Sequence, residues 1–326
     1  MMKSILVYRL SALGDVAMTI PAIYSCARRW NEVTFHVVTV AFCAQLFVNA
    51  PANVVVHPVE KPIGTWRLLK ALSKIEVDAV ADMHNVLRSW IVDTMFWLRG
   101  KRVRMLKKNR NERHAILKEG KSTQRPFTQR YFDVFERLGL PCEPCFSSLF
   151  ETMPPLPVDF TKGNERWIGI APYARYENKM YPLDQMKHVV RLLTEQQDIR
   201  LFLFGSRGEQ AEILKQWESL SPRIHSVAGR FSLQEELALM AHLDVMLSMD
   251  SANQHMASLV GTRVVSVWGS TTPACGFLGY SQQDTDALYL NLSCQPCTTS
   301  GSPTCKSHSF DCLKKLLPEM IVRKLL

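Results

Sequence analysis

The feature that most constrains the fold is the order of short apolar runs along the chain. Four such runs in the first half and five in the second are separated by segments with helical periodicity. Apolar runs that alternate with helices predict parallel strands in sheets covered on both faces. The predicted strands are residues 4–10, 33–40, 53–59, 77–83, 167–171, 199–204, 223–227, 244–249 and 263–269. Clear helical patterns cover residues 16–30, 66–75, 87–98, 184–197 and 232–243, and Ser232 with Glu235 predicts a capping box for the last one.

The length of 326 residues predicts two domains of about 150 residues each. A proline-rich break at 153–164 is interpreted as the linker, so the predicted domains are 1–155 and 165–326. Apolar residues make up 47% and charged residues 21%, which is typical of a soluble globular protein. No apolar run approaches the length of about 20 residues that spans a bilayer, and the apolar start ends at Arg9, which favours a strand over a signal peptide. We therefore expect a cytoplasmic protein.

Positive charge is concentrated in one segment, residues 99–130. This segment holds 12 of the 39 Lys and Arg residues and only 2 of the 30 Asp and Glu residues, so the rest of the chain is nearly neutral. The concentration indicates an anionic partner, such as a phosphorylated glycan, an anionic lipid surface or nucleic acid. The alternative is a solvated helix face without a partner.

Polar residues with chemical potential follow the predicted strands. Gly14 and Asp15 form the turn between the first strand and its helix. Glycine permits a close backbone approach or a positive φ, and an aspartate here either caps the helix or takes part in chemistry. Lys179 lies in the loop after strand 167–171, where its partner is either water or a phosphate oxygen. Gly205 and Ser206, after strand 199–204, are weak candidates for a nucleotide contact.

A second group surrounds the end of strand 244–249. Asp250 ends this strand, Ser251 and Ala252 open the next helix, and His255 lies on its first turns. The first amide groups of a helix have no partner within it, so they are suited to bind a diphosphate. His255 alone would be interpreted as a core histidine.

Two motifs in particular, RLSALGDVAMTIPA (9–22) and DSANQHMASLVGTRVVSVWGSTTPA (250–274), resemble the heptosyltransferases of glycosyltransferase family 9. The resemblance runs from residue 3 to about 312 and includes DMHNVLRS, the Lys179 loop and the late cysteines. It implies a GT-B fold, in which two doubly wound Rossmann-like domains face each other across a cleft. It also implies an inverting, metal-independent transfer of a sugar, typically heptose from ADP-heptose to the lipopolysaccharide core.

The resemblance also assigns roles by position. Asp15 resembles, by its position in the motif, the family's general base. Lys179 resembles the residue that neutralises the diphosphate, and Asp250 resembles the aspartate near the donor sugar. The remaining expected donor-binding residues are Gly14, Gly205, Ser206, Ser251, Ala252 and His255. Ala252 stands where the family commonly has glycine.

In this family the N-terminal domain receives the acceptor. The expected acceptor-binding residues are Arg88, Lys107, Lys108, Arg110 and Arg113, and the same charges are expected to favour peripheral contact with the inner face of the cytoplasmic membrane. Nucleic acid is the less favoured partner, because no aromatic residue lies between Trp97 and Phe127.

Four of the nine cysteines form a C-x2-C-x7-C-x6-C pattern: Cys294, Cys297, Cys305 and Cys312. This spacing is compatible with a structural zinc site or with packed thiols. The pair at 142–145, CEPC, is interpreted as incidental. Asp284 and Asp286 form a DxD string, but it lies in a polar loop, so no catalytic cofactor is expected.

Together these features predict a metal-independent glycosyltransferase that uses ADP-heptose and an anionic glycolipid or glycan acceptor. Two alternatives remain: the same chemistry with another nucleotide sugar or acceptor, and a non-catalytic nucleotide-sugar-binding scaffold.

Overall fold

The computed structural model describes residues 2–119, 123–157, 160–305 and 307–326, with the backbone alone for Arg110 and Glu119. The chain forms two compact units. The first consists of Met1–Asn109 and Arg125–Leu149, and the second of Arg110–Gln124 and Phe150–Leu326. Residues 110–124 therefore belong to the second unit, although the chain order places them within the first.

The first unit contains a five-stranded parallel sheet in the order β3-β2-β1-β4-β5. Its strands are β1 (Ser4–Tyr8), β2 (Thr34–Val40), β3 (Val54–Val59), β4 (Ala79–Asp82) and β5 (Arg102–Met105). The four predicted strands are confirmed. The fifth strand lies in the basic segment and was not predicted, because this edge strand carries arginines where a central strand would be apolar.

Helices cover both faces of this sheet, and the three predicted ones are confirmed. The predicted helices are α1 (Leu13–Arg29), α3 (Thr65–Leu72) and α4 (Leu87–Leu98). The short α2 (Ala41–Ala44) and α6 (Phe127–Leu138) were not predicted. Helix α6 buries Tyr131, Val134 and Phe135 and ends at Gly139, whose φ of 89° is the left-handed conformation that favours glycine.

A disulfide joins Cys26 on α1 to Cys142. The segment around Cys142 packs along α1, where the Trp30 indole donates to the Pro141 carbonyl at 3.0 Å. The Ser25 hydroxyl also accepts from the amide of Cys145 at 3.1 Å. The interpretation of CEPC as incidental is therefore wrong for Cys142, because tertiary packing brings it to a cysteine 116 residues earlier.

The second unit contains a six-stranded parallel sheet in the order β11-β10-β9-β6-β7-β8. Its strands are β6 (Arg166–Ala171), β7 (Ile199–Leu203), β8 (Ile224–Ser226), β9 (Val245–Met249), β10 (Val264–Val267) and β11 (Ala287–Leu288). The five predicted strands are confirmed, and only the two-residue edge strand is additional.

The helices of this unit include the two that were predicted. They are α5 (Arg110–Glu119), α7 (Leu183–Thr194), α8 (Glu209–Trp217), α9 (Leu233–Ala241), α10 (Ala252–Leu259), α11 (Asp311–Lys314) and α12 (Pro318–Leu325). The capping box is confirmed, because the Ser232 hydroxyl accepts from the Glu235 amide at 3.3 Å and the Glu235 carboxylate accepts from the Ser232 amide at 2.7 Å.

The proline-rich segment predicted as a linker packs on the second unit. Phe160 is buried and its ring lies 5.1 Å from that of Phe202 and 6.5 Å from that of Trp167. The Pro154 carbonyl lies 2.7 Å from His242 Nε2. These contacts fix Pro154 and Phe160 on the second unit, within the stretch interpreted as a linker; residues 158 and 159 of that stretch lie outside the described residues.

Each sheet reverses its strand order at one point, and loops at the carboxyl ends of such strands form natural ligand sites in open α/β sheets. The reversal lies between β1 and β4 in the first unit and between β6 and β9 in the second. No helix in the described part of the chain is long and apolar enough to cross a membrane.

Candidate active site

Asp15 lies in the first turn of α1, directly after β1. Its Oδ2 atom lies 2.6 Å from Arg9 Nη2 and accepts a hydrogen bond from the Ala12 amide at 3.2 Å. The carboxylate therefore caps the helix and forms an ion pair at the same time. Gly14 is helical and has no positive φ, so that reason for a glycine here is wrong, while a close backbone approach to the donor stays a prediction.

Arg9 connects the ends of β1 and β4. Its guanidinium is buried and donates to the Met83 carbonyl at 2.6 Å. Burial acts to lower the pKa of Arg9, but Tyr131 and Asp15 outweigh it and raise that pKa, so the guanidinium stays charged. A fixed positive charge beside Asp15 favours the ionised carboxylate.

The Asp82 carboxylate organises the loop after β4. It accepts from the amides of His84 and Asn85 at 2.8 and 2.9 Å, and from the Ser89 hydroxyl at 2.6 Å. Burial and the neighbouring Asp82 raise the pKa of Asp93 to about 8. Asp93 therefore keeps its proton at neutral pH, which allows two carboxyl groups to share a buried position.

His84 extends from this loop at the point where the first sheet reverses. Burial, followed by the charge of Arg9, lowers the pKa of His84 to about 4, so the imidazole is neutral. Its Nδ1 atom is buried and has no hydrogen-bond partner within the described part of the chain. Sequence reasoning missed both His84 and Arg9. For His84 the position directly after the predicted strand 77–83 was an available signal, whereas Arg9 lies within the predicted strand 4–10.

The five expected acceptor-binding residues do not belong to one compact unit. Arg88 donates through Nη2 to the Ile63 carbonyl, while Lys107 is exposed and Lys108 half-buried in the first unit. Arg113 lies in the second unit, where its guanidinium donates to the Thr299 hydroxyl at 2.8 and 3.1 Å. The side chain of Arg110 lies outside the described residues.

Lys179 and Asp250 meet at the reversal point of the second sheet. Lys179 Nζ lies 2.7 Å from Asp250 Oδ2, and the two residues are 8% and 6% exposed. The Thr271 hydroxyl donates to the same carboxylate oxygen at 2.5 Å, and Gln254 Nε2 donates to the other at 3.2 Å. The pair is therefore a buried ion pair whose carboxylate is hydrogen-bonded at both oxygens, and Lys179 is not a solvated lysine.

Two glycines allow close packing around Lys179. A side chain at Gly269 would collide with the Asn178 carbonyl, and the neighbouring Ser270 amide donates to that carbonyl at 2.8 Å. Gly301, with a φ of 93°, lies against the aliphatic stem of Lys179. The end of β10 and the cysteine-rich segment therefore both hold the lysine loop in place.

The N-terminus of α10 lies beside this pair along the chain. Ser251 is the N-cap residue, Ala252 is the first helical residue, and His255 is buried within the first turns. The first amides of this helix have no partners inside the helix. These amides carry the partial positive charge of the helix N-terminus, which makes this end of α10 suited to bind an anion.

Gly205 follows β7, the strand next to β6 in the sheet. The Ser206 amide already donates to Gln210 Oε1 at 2.9 Å. A side chain at Gly205 would contact Leu214 at 3.0 Å, so packing against α8 also accounts for this glycine. Contacts within the second unit therefore account for Gly205 and for the Ser206 amide, and a nucleotide contact of these residues stays a prediction.

The four late cysteines line one cavity of about 320 Å³ in the second unit, together with residues of α5 and the lysine loop. Burial and the three other thiols raise the pKa of Cys312 to about 12. Among the described residues, no three His, Cys, Asp or Glu side chains are arranged to hold a metal ion. A zinc site is therefore not shown by this arrangement.

The DxD string at 284–286 has a structural role. The Asp286 carboxylate forms a two-pronged contact with Arg263 at 2.7 and 2.9 Å and lies 3.4 Å from Lys324. The hydrogen bond from Arg263 lowers the pKa of Asp286. Its oxygens serve to connect the short edge strand β11 to α12.

Comparison with known families identifies the chain. The model of glycosyltransferase family 9 (heptosyltransferase) matches residues 65–308, well over half of the sequence. The chain belongs to glycosyltransferase family 9. It is accordingly a glycosyltransferase, and its two α/β units are those of the GT-B fold.

Individual relatives are similar over nearly the whole chain. A lipooligosaccharide heptosyltransferase 2 from Campylobacter jejuni is 21% identical and covers 96% of this chain and 95% of its own length. The lipopolysaccharide core heptosyltransferase OpsX from Haemophilus influenzae is 22% identical and covers 83% and 80%. The solved structure of E. coli ADP-heptose lps heptosyltransferase II has a TM-score of 0.68, 18% identity and coverage of 99% and 97%, which shows a shared fold.

Proposed function

We propose that this glycosyltransferase transfers heptose from ADP-heptose to a hydroxyl group of a lipopolysaccharide-core acceptor, with inversion and without a metal. The observation that carries the proposal is the buried Lys179–Asp250 pair at the reversal point of the second sheet. Asp250 directly precedes Ser251, the N-cap residue of α10. The heptosyltransferase activities of the relatives support the choice of donor and acceptor.

The departing ADP develops negative charge as the bond between the anomeric carbon and the diphosphate oxygen breaks. Lys179 has three donors and uses one on Asp250, so it retains capacity for a phosphate oxygen. The amides at the start of α10 supply a second positive contact. This combination performs the task that a metal performs in other glycosyltransferases.

Asp15 takes the proton from the acceptor hydroxyl while the oxygen of that hydroxyl forms the new bond to the anomeric carbon. A single displacement of this kind needs one carboxylate within hydrogen-bond reach of the hydroxyl. Arg9 and the Ala12 amide both bind Oδ2, which holds the carboxylate in one orientation.

The acceptor is expected to be an anionic glycolipid that is used at the inner face of the cytoplasmic membrane. Lys107 and Lys108 remain the candidate contacts in the first unit, and we add His84, whose neutral imidazole can bind a sugar hydroxyl. The contact of Arg113 with Thr299 favours a role for Arg113 in fixing α5 on the second unit.

A structural metal at the four late cysteines stays a prediction. Four thiols around one cavity are a chemically suitable donor set for zinc or iron, although bringing them to one ion requires side-chain rearrangement. Elemental analysis of the purified protein decides between this and packed thiols. No step of the transfer depends on it.

The decisive experiment is a binding titration with ADP-heptose, ADP, and UDP- and GDP-sugars, followed by a transfer assay. Preference for ADP-heptose with turnover supports the proposal. Preference for another nucleotide sugar retains the chemistry and changes the substrate. Binding of none of them favours the scaffold alternative.

A further inference from the structure

Helix α4 is apolar on the face that it presents to solvent. Leu87, Trp97 and Leu98 are 73%, 67% and 72% exposed, and Trp90 and Ile91 are also exposed. Their spacing of three or four residues places them on one side of the helix, where the only polar member is Thr94. The opposite side is buried. Single exposed apolar residues are common, but a continuous stripe of this kind marks an interaction surface.

Helix α3 lies alongside α4 and runs in the same direction. At one end Arg88 donates to the Ile63 carbonyl, and at the other Arg99 Nη1 donates to the Ser73 carbonyl at 3.4 Å. This helix exposes Trp66 at 84%. The two helices thus hold all three exposed tryptophans in the described part of the chain, which contains seven tryptophans in total.

The charges around these helices are mostly positive. Residues 61–102 contain eight Lys and Arg, and two of their four acidic residues, Asp82 and Asp93, are buried. The exposed basic residues are Lys61, Arg67, Lys70, Lys74, Arg99 and Arg102. The surface therefore combines an apolar, tryptophan-rich centre with a cationic border.

We infer that the surface formed by α3 and α4 docks the protein on an anionic lipid bilayer. Tryptophan rings are suited to the boundary between headgroups and acyl chains, and Lys and Arg are attracted to anionic headgroups. A second copy of the chain fits less well, because a twofold contact would bring two cationic borders together. The inference deepens the proposed function, since a glycolipid acceptor is presented in such a bilayer.

The test measures vesicle binding without donor or acceptor. Full-length protein is sedimented with vesicles of phosphatidylethanolamine and phosphatidylglycerol, and in parallel with phosphatidylcholine vesicles. The test variant is W66S/W97S, which avoids Trp90 because that indole donates to Asn85 at 2.8 Å. The matched control is L317S/M320S, which removes exposed apolar side chains from the second unit.

We expect binding to the anionic vesicles that is at least about tenfold tighter than to phosphatidylcholine and that weakens at about 0.5 M salt. W66S/W97S should weaken it by about tenfold or more, while the control stays within about twofold. Absence of vesicle binding, or equal effects of the two variants, would overturn the inference. Loss of self-association in W66S/W97S without an effect on vesicle binding would assign the surface to a second copy instead.

Transfer to a lipid-free, water-soluble acceptor separates the two proposals. W66S/W97S should retain wild-type turnover there, because both tryptophans are exposed and neither is among the candidate site residues. If wild-type protein binds anionic vesicles but transfers no heptose, the docking surface stands and the proposed function fails.

Discussion

Replacement of Lys179 by methionine tests whether the Lys179–Asp250 pair has the energetic character of a buried ion pair. Methionine retains most of the aliphatic stem that packs on Gly301 and removes only the ammonium group. The Asp250 carboxylate, 6% exposed, would keep Thr271 and Gln254 as donors but lose its counter-charge. Breaking a buried pair from one side costs about 3–5 kcal/mol of unfolding free energy.

The same substitution should weaken ADP binding. A charge-assisted hydrogen bond from an ammonium to a phosphate contributes about 1.5–3 kcal/mol, so the dissociation constant should rise by about 10- to 150-fold. Urea-induced unfolding measures the first effect, and isothermal titration calorimetry with ADP measures the second.

Two further variants make the experiment specific. Lys315 forms an ion pair with Asp311 at 2.6 Å, nearly the same distance, but both side chains are exposed, so K315M should leave stability and ADP affinity unchanged. In K179M/D250N the uncompensated charge is removed, so most of the lost stability should return while ADP affinity stays low. If K179M is no less stable than K315M, the pair does not have the assigned character, and if its ADP affinity is normal, Lys179 is not in the donor site.

Three other predictions concern the base, the buried carboxyl pair and the cysteines. D15N should slow transfer by about 100- to 10,000-fold with ADP affinity within about twofold, because the amide preserves the helix cap but cannot accept the proton; a rate above a tenth of wild type would exclude Asp15 as the base. The pKa of Asp93 is raised to about 8 in the folded protein. Between about pH 4 and 8 the carboxyl group is therefore ionised in the unfolded chain but protonated in the folded one, so the free energy of unfolding falls as pH rises. D93N lacks this loss, so its melting temperature relative to wild type should increase from pH 5 to pH 8, and a constant difference would contradict the assignment. Elemental analysis of protein purified without added metal should find about one zinc or iron per chain if residues 294–312 hold an ion, and none if the thiols are only packed.

Local periodicity predicted the secondary structure well because it depends on neighbours along the chain. The nine predicted strands and the five predicted helices follow from apolar runs and 3.6-residue spacing, and the capping box at Ser232 and Glu235 follows from residues three positions apart. Strand β5 was not predicted. It has the sequence RVRM and needs no apolar alternation, because only one of its edges is paired.

Long-range contacts were beyond the reach of sequence reasoning. The basic segment 99–130 reads as one cationic stretch, but its part 110–124 belongs to the second unit, where Arg113 bonds Thr299 across 186 residues of sequence. The disulfide between Cys26 and Cys142 likewise depends on how the segment after α6 packs along α1. Such partners are chosen by packing, which a single sequence does not encode in any local pattern.

The sequence by itself determined the strand order along the chain and the positions of Asp15, Lys179 and Asp250 after strands, because backbone propensity and hydrophobic periodicity are local. The tertiary structure alone decided which of these side chains meet: Lys179 reaches Asp250 because β6 and β9 are neighbours in the sheet although 77 positions separate their first paired residues, Ile168 and Val245. It also decided which face of α4 stays in solvent. Both sides of that helix carry apolar residues, and the packing of the side that holds Val92 and Phe96 leaves the tryptophan-bearing side uncovered.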